Sequence, residues 1–187
     1  MAKIRQKQLG GLPPKYGFII NPHPEERASR CPLCDRKSRQ RKIPILIHVN
    51  PKHLIALNYT CRYCPDCDLL IAHKHEIEHY LTQLFSQLAP DAIGNDYWAI
   101  GTVEKSVWRE GQKQHLEIAE FLPHASDFAT YYEELQLTRA GYYPAGQTPP
   151  VAVPPPSQEW VKSSATQPTA FKQRLGTRRQ FRQIRTG

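Results

Sequence analysis

Four of the five cysteines in the chain stand in two copies of one short motif, Cys31-Pro32-Leu33-Cys34-Asp35 and Cys64-Pro65-Asp66-Cys67-Asp68. A Cys-x-x-Cys turn lets two thiolates converge on one ion, because backbone N–H groups in the turn point at the sulfurs. Two such turns supply the four ligands of a tetrahedral structural Zn2+ site. The stretch Cys61-Arg62-Tyr63-Cys64 is also Cys-x-x-Cys, so Cys61 is an alternative ligand. The pair Cys64 and Cys67 is preferred, because it repeats the proline-containing form of the first motif.

Between the two motifs lie two strand-like runs, Ile43 to Val49 and Leu54 to Thr60, rich in Ile, Leu and Val. Asn50-Pro51-Lys52-His53 separates them as a turn, and Pro44 suits the start of a strand or an edge. This reads as a β-hairpin with a cysteine pair at each end of its base. The arrangement resembles the zinc-ribbon superfamily, whose rubredoxin-like knuckles often read Cys-Pro-x-Cys-Gly. Here Asp35 and Asp68 stand where glycine is common. The resemblance covers residues 31–67 and implies a hairpin module stapled by structural Zn2+ through Cys31, Cys34, Cys64 and Cys67. An iron site of rubredoxin type uses the same four sulfurs, which would make an electron carrier. In either case metal binding is folding energy for so small a module.

Local pattern orders the rest of the chain. Residues 1–30 read as an extended arm broken by glycine and proline, with a short apolar patch at Tyr16 to Ile20. A helix is expected from Ala72 to Leu88, with Ile77, Leu81, Leu84, Phe85 and Leu88 on one apolar stripe. Asp96 to Trp108 alternates as a strand, and residues 114–122 read as a returning strand or a short helix. Ser126 or Asp127 reads as the N-cap of a helix through Tyr131, Tyr132, Leu135 and Leu137. Residues 144–170 form a proline-rich linker, and residues 171–187 a basic, disordered tail. The expected fold class is α+β. A hairpin ribbon, residues 31–67, packs on an amphipathic helix and a small α+β portion within 68–143, between flexible basic termini.

The formal charge of +8 conceals a basic–acidic–basic pattern. Residues 1–67 carry 13 bases and 4 acids, residues 68–137 carry 4 bases and 12 acids, and residues 138–187 carry 8 bases and 1 acid. A basic region can engage phosphate and release counterions, whereas an acidic one repels a polyanion. Any nucleic-acid contact must therefore lie toward the two ends. The candidates are Arg36, Lys37, Arg39, Arg41 and Lys42 beside the first cysteine pair, and Lys172, Arg174, Arg178, Arg179, Arg182 and Arg185 in the tail. Tail arginines interleaved with Phe171, Leu175, Phe181 and Ile184 suit folding onto RNA or docking on an acidic protein surface.

Residues His75-Glu76-Ile77-Glu78-His79 match His-Glu-x-x-His. In the zincin metalloproteases, which the fragment resembles at these five positions alone, the histidines bind Zn2+ and the glutamate activates water. On this helix both histidines fall opposite the apolar stripe, and Lys74 and Glu78 flank or interrupt the motif with charge. The expected reading is a solvated helix face and a chance match. A glycine-rich phosphate loop, a Gly-x-Ser-x-Gly elbow and a paired-carboxylate set are absent from the sequence. No apolar run reaches the length of a transmembrane helix, and Gly17 to Ile20 is too short for a signal-peptide core, so a cytoplasmic setting with reduced thiols is expected. The leading functional expectation is a non-enzymatic zinc-binding adaptor or regulator contacting nucleic acid or a nucleoprotein assembly. The alternative is a protein-interaction factor without nucleic acid.

Overall fold

The computed structural model of the chain describes residues 8–114 and 116–162, and the backbone of residues 183–184. The element order is β1 (Gly17–Asn21), β2 (Arg39–Val49), β3 (His53–Cys64), β4 (Leu69–His73), α1 (Lys74–Leu88), β5 (Tyr97–Val103), α2 (Lys105–Gly111), α3 (Ile118–Phe121), β6 (Ala125–Asp127), β7 (Thr130–Tyr131) and β8 (Gln183–Ile184), with one-turn 3-10 helices at Pro90–Ala92 and Leu122–His124. The chain is thus mixed α and β, strand-rich, with few helices.

The expected hairpin forms and is longer than the apolar runs alone suggest. β2 and β3 pair antiparallel from Arg39 opposite Tyr63 to Val49 opposite His53. These two strands are also the middle of the sheet, whose order is β6-β5-β2-β3-β4-β1-β7, with β8 pairing β3. Their continuous apolar character has a physical reason. Odd-numbered side chains, such as Ile45, Ile47, Ile55 and Leu57, share one core with Ile77, Leu81 and Phe85 of α1. Even-numbered ones, Leu46, Leu54 and Ala56, share a second core with Val107 of α2 and Phe121 of α3. Strands buried on both faces lose the polar alternation of a half-exposed strand.

The sheet curls until its ends meet. β6 pairs β5 at one end, β7 pairs β1 at the other, and only Phe128 and Ala129 separate β6 from β7 in the chain. The Phe128 N–H donates to the Ile100 carbonyl (3.0 Å) and the Ala129 N–H to the Tyr16 carbonyl (2.8 Å). One continuous segment therefore ties both sheet edges together.

Three local expectations are corrected. The stretch read as an arm supplies β1, which runs parallel to β4 with Gly17 beside Leu69, and Leu9 to Lys15 bond along the segment 122–127. The strand expected to reach Trp108 stops at Val103, and Lys105–Gly111 is helical, turning Val107 and Gly111 to the buried side. No helix follows Ser126 and Asp127. Both lie in β6, where the Asp127 carboxylate accepts from the N–H groups of Leu9 (2.7 Å) and Gly10 (2.9 Å). An acidic side chain suited to capping a helix here caps the incoming N-terminal segment instead.

Helix α1 starts at Lys74, Ala72 being in β4, and follows its stripe in part: Ile77, Leu81 and Phe85 are fully buried, Leu84 is half-buried and Leu88 is exposed. Past it, the proline-rich stretch returns to the body at Trp160, which is 7% exposed. Among the described residues no helix is long and apolar enough to cross a membrane.

Candidate metal centre

The two knuckles are carried by different parts of the sheet. Cys31 and Cys34 lie in the loop before β2, while Cys64 ends β3 and Cys67 lies in the turn that leads to β4. The β3–β4 pairing sets Cys64 opposite Leu69, so the second turn is closed by the sheet itself. The first turn is closed by the Asp35 N–H donating to the Cys31 carbonyl (2.9 Å) and the Cys31 N–H donating to the Arg36 carbonyl (2.8 Å). Arg36 then links the knuckles through an ion pair with Asp66 at 2.6 Å.

The four ligand sulfurs of Cys31, Cys34, Cys64 and Cys67 all lie within 4.8 Å of one another. Cys34 Sγ and Cys64 Sγ are 3.6 Å apart. Four thiolates at the Zn–S distance of about 2.3 Å in a tetrahedron stand about 3.8 Å apart, so the quartet fits such an ion. Cys31 and Cys64 are buried over Ile19, Leu69 and Ile71, and Cys34 and Cys67 are half-buried. The Leu33 N–H points at Cys31 Sγ (3.4 Å) against the burial that raises that thiol, the Arg36 N–H holds the Cys34 thiol below its ordinary value, and the neighbouring Cys34 pushes Cys67 up to about 12. The two N–H donors favour thiolate and hence metal ligation.

Cys61 does not join them. It lies three residues before Cys64 on a strand, so the two side chains leave opposite faces of the sheet. Cys61 packs in the core with Tyr59 and Ile77 and is 1% exposed, and burial drives its thiol pKa far upward. It is a small apolar core residue, and the alternative ligand set is set aside.

The basic residues beside the first knuckle differ in their surroundings. Arg39, Arg41 and Lys42 lie on the strand end that follows it, Lys37 lies just before that strand, and all four are exposed. Arg41 stacks over two tyrosines, 5.3 Å from the Tyr16 ring centre and 4.7 Å from that of Tyr63. The Tyr63 hydroxyl donates to Asp68 Oδ1 at 2.7 Å. A chain of contacts thus runs from the second knuckle to a surface arginine. Nothing in the spacing of the sequence points to Tyr16, which reaches Arg41 only because β1 is part of the sheet. The tail candidates Lys172, Arg174, Arg178, Arg179, Arg182 and Arg185 lie outside the described residues.

The His-Glu-x-x-His segment forms no second cluster. His75 is exposed. His79 pairs through Nδ1 with Glu159 (2.6 Å) and through Nε2 with the Gln83 amide (2.8 Å). Glu76 accepts a hydrogen bond from the Tyr59 hydroxyl. Glu78 departs from the solvated face expected of it. It is 5% exposed and accepts from the Tyr97 hydroxyl at 3.2 Å. The sulfur quartet is, among the described residues, the one grouping of three or more His, Cys, Asp or Glu with metal-binding spacing.

Comparison with protein families, with curated proteins and with solved structures gives no match to this chain.

Proposed function

We propose that the chain is a zinc-stapled, non-enzymatic adaptor that contacts nucleic acid or a nucleoprotein assembly through the basic strand end beside its metal site. The observation that carries this reading is the coupling of Arg41 to the second knuckle through Tyr63 and Asp68. Arg39 and Lys42 stand exposed on the same end of the hairpin, where they suit phosphate contacts that position a polyanion without reading its sequence. An arginine stacked on aromatic rings loses less side-chain freedom on binding than a free one, and its planar fork matches phosphate. Zinc in this reading is scaffold: it holds the turn that holds Tyr63.

The test is fluorescence anisotropy with short labelled single-stranded RNA and duplex DNA, titrated against salt, on the full-length protein. Binding that weakens with salt is expected. Replacing Arg39, Arg41 and Lys42 with Ser should lower the slope of log affinity against log salt by roughly 0.7–0.9 for each phosphate that is no longer neutralised. Stripping the metal with a chelator should weaken binding in the wild type and much less in Arg41→Ser. Absence of binding at low salt would overturn the proposal and leave a protein-only partner as the better reading.

A further inference from the structure

A groove of about 500 Å³ opens where the curled sheet closes on itself, between α1, the start of β5, the residues around β7 and Trp160. Its walls are aromatic. Tyr97 comes from β5, Tyr131 and Tyr132 from the closing segment, and Trp160 from the returning proline-rich stretch; the next ring of β5, Trp98, borders the groove but leaves the other face of the strand and stacks on His48. Tyr131 is 56% exposed, so its ring is open to an incoming group. Two of the rings are fixed in place. The Trp160 Nε1–H donates to the Asn95 carbonyl at 2.8 Å, and the Tyr131 hydroxyl to the Ile100 carbonyl at 2.6 Å.

Beneath these rings lies Glu78, a buried acidic side chain. Its carboxylate has the Tyr97 hydroxyl as a neutral donor and no cationic partner among the described residues. Lys74, the one cation among the described residues lining the groove, is engaged by Glu134 at 3.0 Å. Asp96 adds a further negative charge at the rim. Aromatic faces carry negative quadrupole charge, and a buried carboxylate without a counter-charge is costly. Both are relieved by the same thing, a positive group entering the groove.

The geometry points to a binding site for the guanidinium of an arginine side chain, presented by a peptide of a protein partner. A guanidinium is planar and weakly hydrated, stacks on indole and phenol rings, and offers a fork of donors to a carboxylate. An ammonium is more strongly hydrated and loses more on leaving water. The groove is of ligand-pocket size, and most of its lining comes from the acidic stretch, residues 68–137, which carries 12 acids and 4 bases. Its lining shares no residue with the basic strand end, and it does not rest on the nucleic-acid reading.

The experiment is tryptophan fluorescence and calorimetry on the full-length, metal-loaded protein. The probes are capped Gly-Arg-Gly, its neutral isostere Gly-citrulline-Gly, and Gly-Lys-Gly. Saturable binding of the arginine peptide, at least about tenfold tighter than the other two, is expected. Glu78→Gln keeps an acceptor for Tyr97 and should cut that affinity about tenfold, as should Tyr131→Ala, whose ring is more than half exposed. Circular dichroism of both variants should match wild type. Equal binding of the citrulline peptide would overturn the charge argument, and equal or tighter binding of the lysine peptide would overturn the guanidinium assignment. No saturable binding up to about 10 mM would overturn the site itself.

Discussion

Asp35 and Asp68 hold the same left-handed backbone conformation, φ 57° and 48°, one residue after the second cysteine of each knuckle. That is the position at which a turn of this kind favours glycine, and aspartate is among the few other residues that tolerate it. The two aspartates differ in what else they do. The Asp35 side chain is exposed and pairs with Arg30 at 3.1 Å, an interaction of small worth in water. Asp68 instead accepts from the Tyr63 hydroxyl.

Asp35→Gly should therefore lie within about 0.5 kcal/mol of wild type in urea unfolding of the metal-loaded protein. Asp35→Val, a β-branched residue forced to positive φ, should cost about 1–2 kcal/mol. Asp68→Gly should cost about 0.5 kcal/mol more than Asp35→Gly, because the exposed hydrogen bond from the Tyr63 hydroxyl is exchanged for one to water. The reverse ranking of the two glycine variants would contradict the assigned roles.

Metal content separates the four clustered cysteines from the fifth. Cys64→Ser should abolish stoichiometric metal by elemental mass spectrometry and destabilise the chain by several kcal/mol, since ligation and folding are one process at such a site. Cys61→Ala should keep full metal content and cost only about 1 kcal/mol, as expected for removing a small core group. The same measurement distinguishes zinc from iron, which the four sulfurs would hold in the same geometry. Metal lost from Cys61→Ala with its fold intact would refute the choice of Cys64 and Cys67 over Cys61.

The parts of this fold that were legible in the sequence are those written in neighbouring residues. The knuckles follow from cysteine spacing, and α1 follows from Ile77, Leu81 and Phe85 at helical intervals. The hairpin follows from two apolar runs around a turn. What closes the sheet was not legible, because it depends on partners far apart in the chain: Gly17 sits beside both Leu69 and Thr130. A five-residue strand among prolines and glycines reads as an arm until those partners are known. Ser126 and Asp127 carry the right oxygens for an N-cap, but an oxygen acceptor serves any nearby N–H, and Leu9 and Gly10 take the one on Asp127. The groove was hidden for the same reason, being built from α1, β5, β7 and a tryptophan that composition assigns to a linker.

Histidine protonation gives a pH dependence of definite sign. The Asn21 amide is oriented by two bonds, its Oδ1 accepting from the His23 N–H (2.9 Å) and its Nδ2 donating to the Glu26 carbonyl (2.7 Å). The same Nδ2 faces His73 Nδ1 at 3.3 Å, so that ring nitrogen acts as an acceptor and the ring is neutral. Burial, the largest cause, holds the His73 pKa below its ordinary value. Burial does the same to His53. A group whose folded pKa is depressed contributes stability above its unfolded pKa of about 6.5 and loses it as pH falls through the folded value. Urea midpoints should therefore fall as pH is lowered below about 6.5, and His73→Gln, which stays neutral, should flatten that fall. An unchanged slope in the variant would remove His73 as a source.

Trp160 decides whether the proline-rich stretch is a tether or part of the fold. Its ring packs edge-on against Phe85 (5.7 Å) and Tyr97 (6.1 Å), and its indole N–H is bonded to Asn95. Beside it, Glu159 pairs with His79, and Lys162 runs against Gly94. Gly94 has φ +81°, and a Cβ there would lie 2.3 Å from the Lys162 backbone nitrogen. Only glycine lets the returning chain approach so closely. Removing the ring should therefore cost as much as removing a core aromatic, about 3–5 kcal/mol for Trp160→Ala. A tether would cost nothing. Gly94→Ala should be destabilising as well, through clash and positive φ together. Thermal and urea unfolding of both variants checks this. A Trp160→Ala protein as stable as wild type would show that the Trp160 ring contributes nothing to the body, and with it one wall of the groove would be lost.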